Sequence, residues 1–198
     1  MNLRTEQNGR LRRISLAAKE RRNVLDAVLA QDLLRELADA EADPDTGAIL
    51  LEADGQVFCG GLDPAANLPP EIFTFGKTAA KPIVAAVQGV AISAGVALIA
   101  NAHLAVAAQG SSFGLTDVRE GRFHPPVLDA VAAAIGRRRT LELALTGRIF
   151  SAADALNWGL VNLVAPAFEF DDRATGMAAM LAASNPDTLR AVLCKAAW

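Results

Sequence analysis

Between Lys81 and Asp117 the chain carries no Asp, Glu, Lys or Arg, reading KPIVAAVQGVAISAGVALIANAHLAVAAQGSSFGLTD. Within this stretch, residues 83–87 form a run of β-branched residues and alanine that begins after Pro82 and is followed by Gln88-Gly89. A short continuous apolar run bounded in this way predicts a strand buried on both faces. The small residues of 89–95, GVAISAG, predict a turn into a helix that ends near Asn101, followed by strands at 104–107 and 112–118. The stretch is longer than the ~20 apolar residues that cross a bilayer. Gln88, Gly89, Ser93, Gly95, Asn101 and His103 interrupt it at short intervals, however, so a buried α/β core is the better reading. His103 is expected at the C-terminal end of the helix, where the dipole favours a cation.

Upstream, LRRISL at 11–16 alternates as a first strand should. A helix is predicted to open at Asn23, with Asp26 at capping-box spacing. Leu25, Leu29, Leu33 and Leu37 recur every four residues, widened by Val28 and Leu34, so one face of that helix is buried. Its acidic tail (Glu36, Asp39, Glu41, Asp43) reads as a solvated face. A buried strand follows at 47–53, then a glycine loop in VFCGGLDP and a helix start at Asp63-Pro64. Residues 67–80 hold two prolines and no strong period, which predicts a loop with at most a short helix at 71–77.

Downstream, helices are predicted at 125–135 and 137–146, separated by Gly136. Ser151 and Asp154 form a capping box, and Gly159 stops that helix. A last strand is expected at 160–164, then helices at 168–183 and 186–197, the latter opened by Asn185. Strands alternating with helices define an α/β class with parallel pairing. The chain reads as one domain, with a core over 1–166 and a short helical segment over 167–198.

Composition narrows the classes. With 198 residues, 52% of them hydrophobic, the chain can build a substantial core. A formal charge of −3 and the absence of tyrosine argue against a nucleic-acid or membrane-surface partner. Two cysteines, Cys59 and Cys194, make no disulfide framework. The N-terminus has no apolar run, and a cytoplasmic location is expected. Two histidines without a carboxylate at ligand spacing make no credible metal site. Cys59, between apolar residues and glycines, reads as packing.

The candidate chemistry lies in two glycine turns, Cys59-Gly60-Gly61-Leu62 and Ser93-Ala94-Gly95, each between a strand and an expected helix. Turns of this kind leave backbone N–H groups unpaired, and a helix N-terminus adds positive potential. Two that converge would cradle a carbonyl oxygen on its way to an oxyanion, where losing one donor costs ~10²–10³ in rate. Tight packing alone would also explain the glycines, and neither turn matches a dinucleotide or P-loop signature.

The segments ISLAAKERRNVLD, AILLEADGQVFCGGLDP, KPIVAAVQGVAISAGVAL, FGLTDVREG and LALTGRIFSAADALNWGLVNLVAP, taken in this order, resemble the crotonase, or enoyl-CoA hydratase/isomerase, family. They cover most of residues 11–166. The resemblance implies a crotonase-like spiral of ββα turns with C-terminal helices. It also implies an acyl-CoA substrate, with coenzyme A arriving as part of that substrate rather than as a cofactor. The family's two polarising N–H groups would belong to Leu62 and Ala94. Lys19, Arg21, Arg22, Gly60 and Gly61 would help to hold the CoA.

The departures from the family pattern are equally informative. The first of the family's two glutamates falls on Ala97, which transfers no proton. The second falls on Asp117, the candidate acid–base residue, and Glu120 is a less favoured replacement. A single carboxylate suits proton shuttling, as in double-bond isomerisation, better than efficient hydration. The loop over 67–80 is short for the family and implies an open or differently walled acyl pocket. The chain also stops with LCKAAW, where relatives continue with further helices, which weakens the expectation of a homotrimer or hexamer.

Two rival readings accompany this one. A non-catalytic relative is compatible with Ala97. GVAISAG also resembles the nucleophile turn of the Clp serine peptidases, which would make Ser93 the nucleophile, His124 the base and Asp154 or Asp171 the orienting acid.

Overall fold

The computed structural model describes residues 2–195. A hairpin of β1 (Leu3–Asn8) and β2 (Leu11–Leu16) opens the chain, and α1 (Ala27–Ala42) follows. Three successive segments then each supply two strands: β3 (Ala48–Ala53) with β4 (Val57–Cys59), β5 (Ile83–Val87) with β6 (Val90–Ile92), and β7 (Leu104–Ala108) with β8 (Ser112–Gly114). Helix α2 (Phe75–Thr78) precedes the second pair and α3 (Ala94–Asn101) the third. Helices α4 (Pro125–Ile135) and α5 (Arg137–Thr146), β9 (Ile149–Ser151), α6 (Ala152–Asn157), β10 (Leu163–Ala165), α7 (Phe170–Ala182) and α8 (Pro186–Lys195) complete the described chain.

The first strand of each pair enters a six-stranded sheet, β1-β2-β3-β5-β7-β10, and the second a four-stranded sheet, β4-β6-β8-β9. The chain therefore winds as a spiral of ββα turns, which is the crotonase fold. Pairing is parallel except for β1 with β2 and β8 with β9. Between the members of a pair the backbone must turn sharply, and Gly89 shows the constraint. Its φ is +77°, and a Cβ there would lie 1.8 Å from the carbonyl oxygen of Gln56.

The middle strands are buried on both faces, which explains their unbroken apolar sequence. Ile49, Leu51, Ile83, Ala85 and Val87 face the main core with Leu29, Leu33 and Leu37 of α1. Leu50, Val84, Ala86 and Val106 face the opposite way. There α7 lies over the sheet on Phe170 and an i,i+4 row of small residues, Ala174, Ala178 and Ala182, that brings helix and sheet close.

Several boundaries differ from those expected. The hairpin partner β1 adds to the expected elements: Gly9-Arg10 is its two-residue turn, with Gly9 at φ +58°. Helix α1 opens at Ala27 with Asp26 as its cap, accepting the Leu29 N–H at 2.8 Å. Asn23, at φ +51°, instead donates its side-chain amide to Val57 O at 2.8 Å and Asp54 O at 3.3 Å. Asp63-Pro64 opens no helix, because the Asp63 carboxylate accepts the Ala65 N–H and closes a turn. Residues 89–95 are not turn throughout, since Val90–Ile92 forms β6. Strand β8 stops at Gly114, and residues 117–120 form a 3₁₀ turn. Strand β9 was missed, and β10 falls at 163–165 rather than 160–164. Three-residue strands are too short to show a period, so only their partners reveal them. The expected end of the last helix, at 196–197, lies outside the described residues.

Candidate active site

Three parallel neighbours, β4, β6 and β8, end side by side. Cys59 stands opposite Ala91, and Ile92 opposite Gly114. Their C-terminal ends thus bring together residues 60–62, the Ser93-Ala94 turn and residues 115–117. Ligands of open α/β sheets bind beyond such carboxyl ends.

The first turn is held by Leu25, whose N–H donates to Gly61 O at 2.9 Å and whose carbonyl accepts the Asp63 N–H at 3.0 Å. Successive peptide groups of an extended chain point to opposite sides, so the Leu62 N–H is directed away from Leu25. It has no backbone partner among the described residues. Gly61 reaches towards the second turn, where a Cβ would lie 3.8 Å from Cγ2 of Ile92. The second turn begins with Ser93 at φ +48°, its N–H donating to Gly114 O at 2.8 Å. Ala94 is the first residue of α3, and its N–H likewise has no backbone partner among the described residues. Every residue of α3 is buried, which keeps the positive end of its dipole in a dry environment.

Asp117 follows β8 at the head of the 3₁₀ turn, with a side chain 14% exposed. Nε2 of His124 lies 3.7 Å from its Oδ1. The two line a cavity of about 30 Å³ with Leu115, Phe123 and Val127. Glu120 points elsewhere: it is exposed and forms an ion pair with Arg122. Ala97 is fully buried one helical turn after Ser93, its N–H bonded to Ser93 O.

The basic residues sit at the lip of the first turn. Lys19–Arg21 is a 3₁₀ turn, closed by Arg22 at φ +55°. The Arg22 carbonyl accepts the Gly60 N–H at 2.8 Å, tying this turn to the glycine loop. Arg21 is engaged with Asp26 at 2.5 Å, whereas Lys19 and Arg22 extend into solvent.

The acids of the serine-peptidase reading are not brought to His124. Asp154 accepts Ser151 N–H at 3.1 Å and Ser151 Oγ–H at 2.8 Å as the cap of α6. The Ser151 N–H, ahead of its hydroxyl, holds the Asp154 carboxyl below its ordinary range. Asp171 on α7 pairs with Arg13 at 3.1 Å. Ser93 is buried with its Oγ unpartnered and is not among the residues around the His124 cavity. Burial pushes the Cys59 thiol up to about 11, so it is no nucleophile.

His103 also differs from expectation. Its Nδ1 accepts the Ile83 N–H at 2.9 Å, and Nε2 lies 3.0 Å from Gly76 O. Desolvation lowers its pKa, outweighing the hydrogen bond to Gly76. It braces the start of β5 as a neutral ring. A separate groove of about 560 Å³ runs between α1 and α2, lined by Leu34, Leu37, Phe75 and Ile83. It opens by Ile49 and Ile83, at the N-terminal ends of β3 and β5, away from the glycine turns.

The winding of the strands, with two glycine turns and a carboxylate at the ends of β4, β6 and β8, defines a crotonase-class protein. The sequence model for enoyl-CoA hydratase/isomerase matches residues 6–196, and the chain belongs to that family. It is 32% identical to a Thermus thermophilus protein named for enoyl-CoA hydratase, over 93% of this chain and 79% of that one. It is 30% identical to the rat mitochondrial enoyl-CoA hydratase domain-containing protein 3, over 90% of this chain and 64% of the relative's length. The crystal structure of an enoyl-CoA hydratase from Mycobacterium avium superposes with a TM-score of 0.89 at 30% identity, covering 99% of this chain and 87% of that one.

Proposed function

We propose that the protein processes acyl-CoA thioesters through an enolate, with the thioester oxygen held by the N–H groups of Leu62 and Ala94 and the proton carried by Asp117. Family membership supports the substrate class. The observation that carries the mechanism is that Asp117, a largely buried carboxylate, follows the strand whose end receives the Ser93 N–H.

With a 3-enoyl thioester, the Asp117 carboxylate removes a proton from Cα, and the electron pair spreads into a dienolate whose oxygen the two N–H groups stabilise. The resulting carboxylic acid returns a proton at Cγ, giving the 2-enoyl thioester. One acid–base group suffices for this sequence. Adding water across the double bond conventionally requires a second group, and Ala97 does not supply one. Double-bond movement is therefore favoured over efficient hydration. Lys19 and Arg22, beside the Gly60 turn, would meet the phosphates of CoA as charge-assisted donors.

The test is incubation with 2- and 3-enoyl-CoA thioesters in D₂O. Double-bond movement in the wild type that Asp117→Asn slows by ~10²–10⁴ would bear out the reading. Intact CoA binding with neither turnover nor exchange would instead identify a non-catalytic relative.

A further inference from the structure

His124 is the one histidine near the candidate site, and its environment is unusual. It precedes α4, and its carbonyl accepts the Val127 and Leu128 N–H groups, so its backbone is fixed by the first turn of that helix. Its side chain is 27% exposed, yet Nε2 is buried and has no hydrogen-bond partner. A buried, unpartnered ring nitrogen costs free energy unless some state of the protein satisfies it. The group facing it is the Asp117 carboxylate, at 3.7 Å. That separation exceeds a hydrogen bond, but catalytic contacts are often long in unliganded enzymes and tighten when substrate binds. The other charged side chain lining the cavity, Arg122, is paired with Glu120.

We propose that His124 is a proton relay that connects Asp117 to solvent. The inference rests on Asp117 being the proton carrier of the proposed reaction. After Asp117 has taken a proton from the substrate carbon, its carboxylic acid transfers that proton to Nε2 of neutral His124. The ring releases its Nδ1 proton to water, so the carboxylate is regenerated and the charge added to the site is that of the dienolate alone, balanced by the proton now in solvent. Reversal of these steps delivers a solvent proton to Asp117 and then to the substrate. His124 acts through Asp117 and need not touch the acyl group. The arrangement gives the site access to solvent protons without a second carboxylate.

The experiment measures solvent deuterium in the product per turnover, using a 3-enoyl-CoA in D₂O. The relay predicts that the wild-type product carries deuterium at the reprotonated carbon. His124→Gln should lose most of this label and retain the substrate's own proton, as well as turning over more slowly. His124→Ala should lose it too and regain it when imidazole is added, a response that a merely structural role would not produce. Full retention of the substrate's proton by the wild type overturns the relay without recourse to any variant. Equal label per turnover in the wild type and both His124 variants overturns the relay alone, provided that Asp117→Asn abolishes turnover. Turnover that is absent in the wild type, or unaffected by Asp117→Asn, overturns the proposed function and the relay with it.

Discussion

A Cβ on Gly95 would lie 2.8 Å from the carbonyl oxygen of Cys59 and 2.9 Å from its Cβ. The first turn of α3 therefore rests directly on the end of β4, and this contact sets the spacing of the two glycine turns. Both neighbours are buried and the nearest atom is backbone, so a larger residue must move the helix. Gly95→Ala is expected to destabilise the fold by about 1–3 kcal/mol, a typical cost of overpacking. It should also lower turnover more than CoA affinity, because displacing Ala94 changes the proposed oxyanion contact. Thermal melts and a kcat-against-KM comparison check both parts.

Asp117 and Glu120 are three residues apart but differ in surroundings. Asp117→Asn removes the proposed proton carrier, whereas Glu120→Gln removes one half of an exposed ion pair. Exposed pairs contribute only about 0–1 kcal/mol. Glu120→Gln is expected to leave melting temperature and turnover close to wild type, while Asp117→Asn abolishes most turnover. Parallel assays of the two variants distinguish the candidates.

His103 makes stability depend on pH. Its pKa in the fold lies below the ordinary 6.5, so the unfolded chain binds the proton more readily. Its contribution is complete above pH 6.5 and is lost as pH falls from that value through the folded pKa. Protonation also takes Nδ1 away as acceptor for the Ile83 N–H. Denaturant titrations between pH 7.5 and pH 5 should show stability falling with acid, by at most about 1.4 kcal/mol per pH unit from this one group. His103→Gln should remove this component.

Ser93 carries a positive φ at a strand-to-helix turn, as a nucleophile turn does, but its hydroxyl is buried rather than exposed. With Asp154 and Asp171 committed elsewhere, the expected outcome is that a fluorophosphonate probe does not label Ser93 and that Ser93→Ala stays unlabelled like the wild type. Labelling of the wild type that Ser93→Ala abolishes would restore the hydrolase reading.

The sequence by itself determined the elements whose signals are local. Unbroken apolar runs marked β3, β5 and β7; the Pro125-to-Gly136 and Arg137-to-Gly147 stretches marked α4 and α5; Ser151 and Asp154 marked the cap of α6. It also located the glycine turns. What it could not show were relationships made by pairing and packing across the chain. The strands β6 and β9 exist because β4 and β8 lie beside them. Asn23 lies ahead of α1, which Asp26 caps, and gives its amide to two carbonyls 31 and 34 residues away. The pKa of His103 is lowered because burial at the start of β5 outweighs its hydrogen bond to Gly76. His124 meets Asp117 because a 3₁₀ turn folds the intervening residues back, and no hydrophobic period records such a turn. Local chemistry is written in neighbouring residues, whereas the surroundings of each acid and base depend on which distant segments exclude water from it.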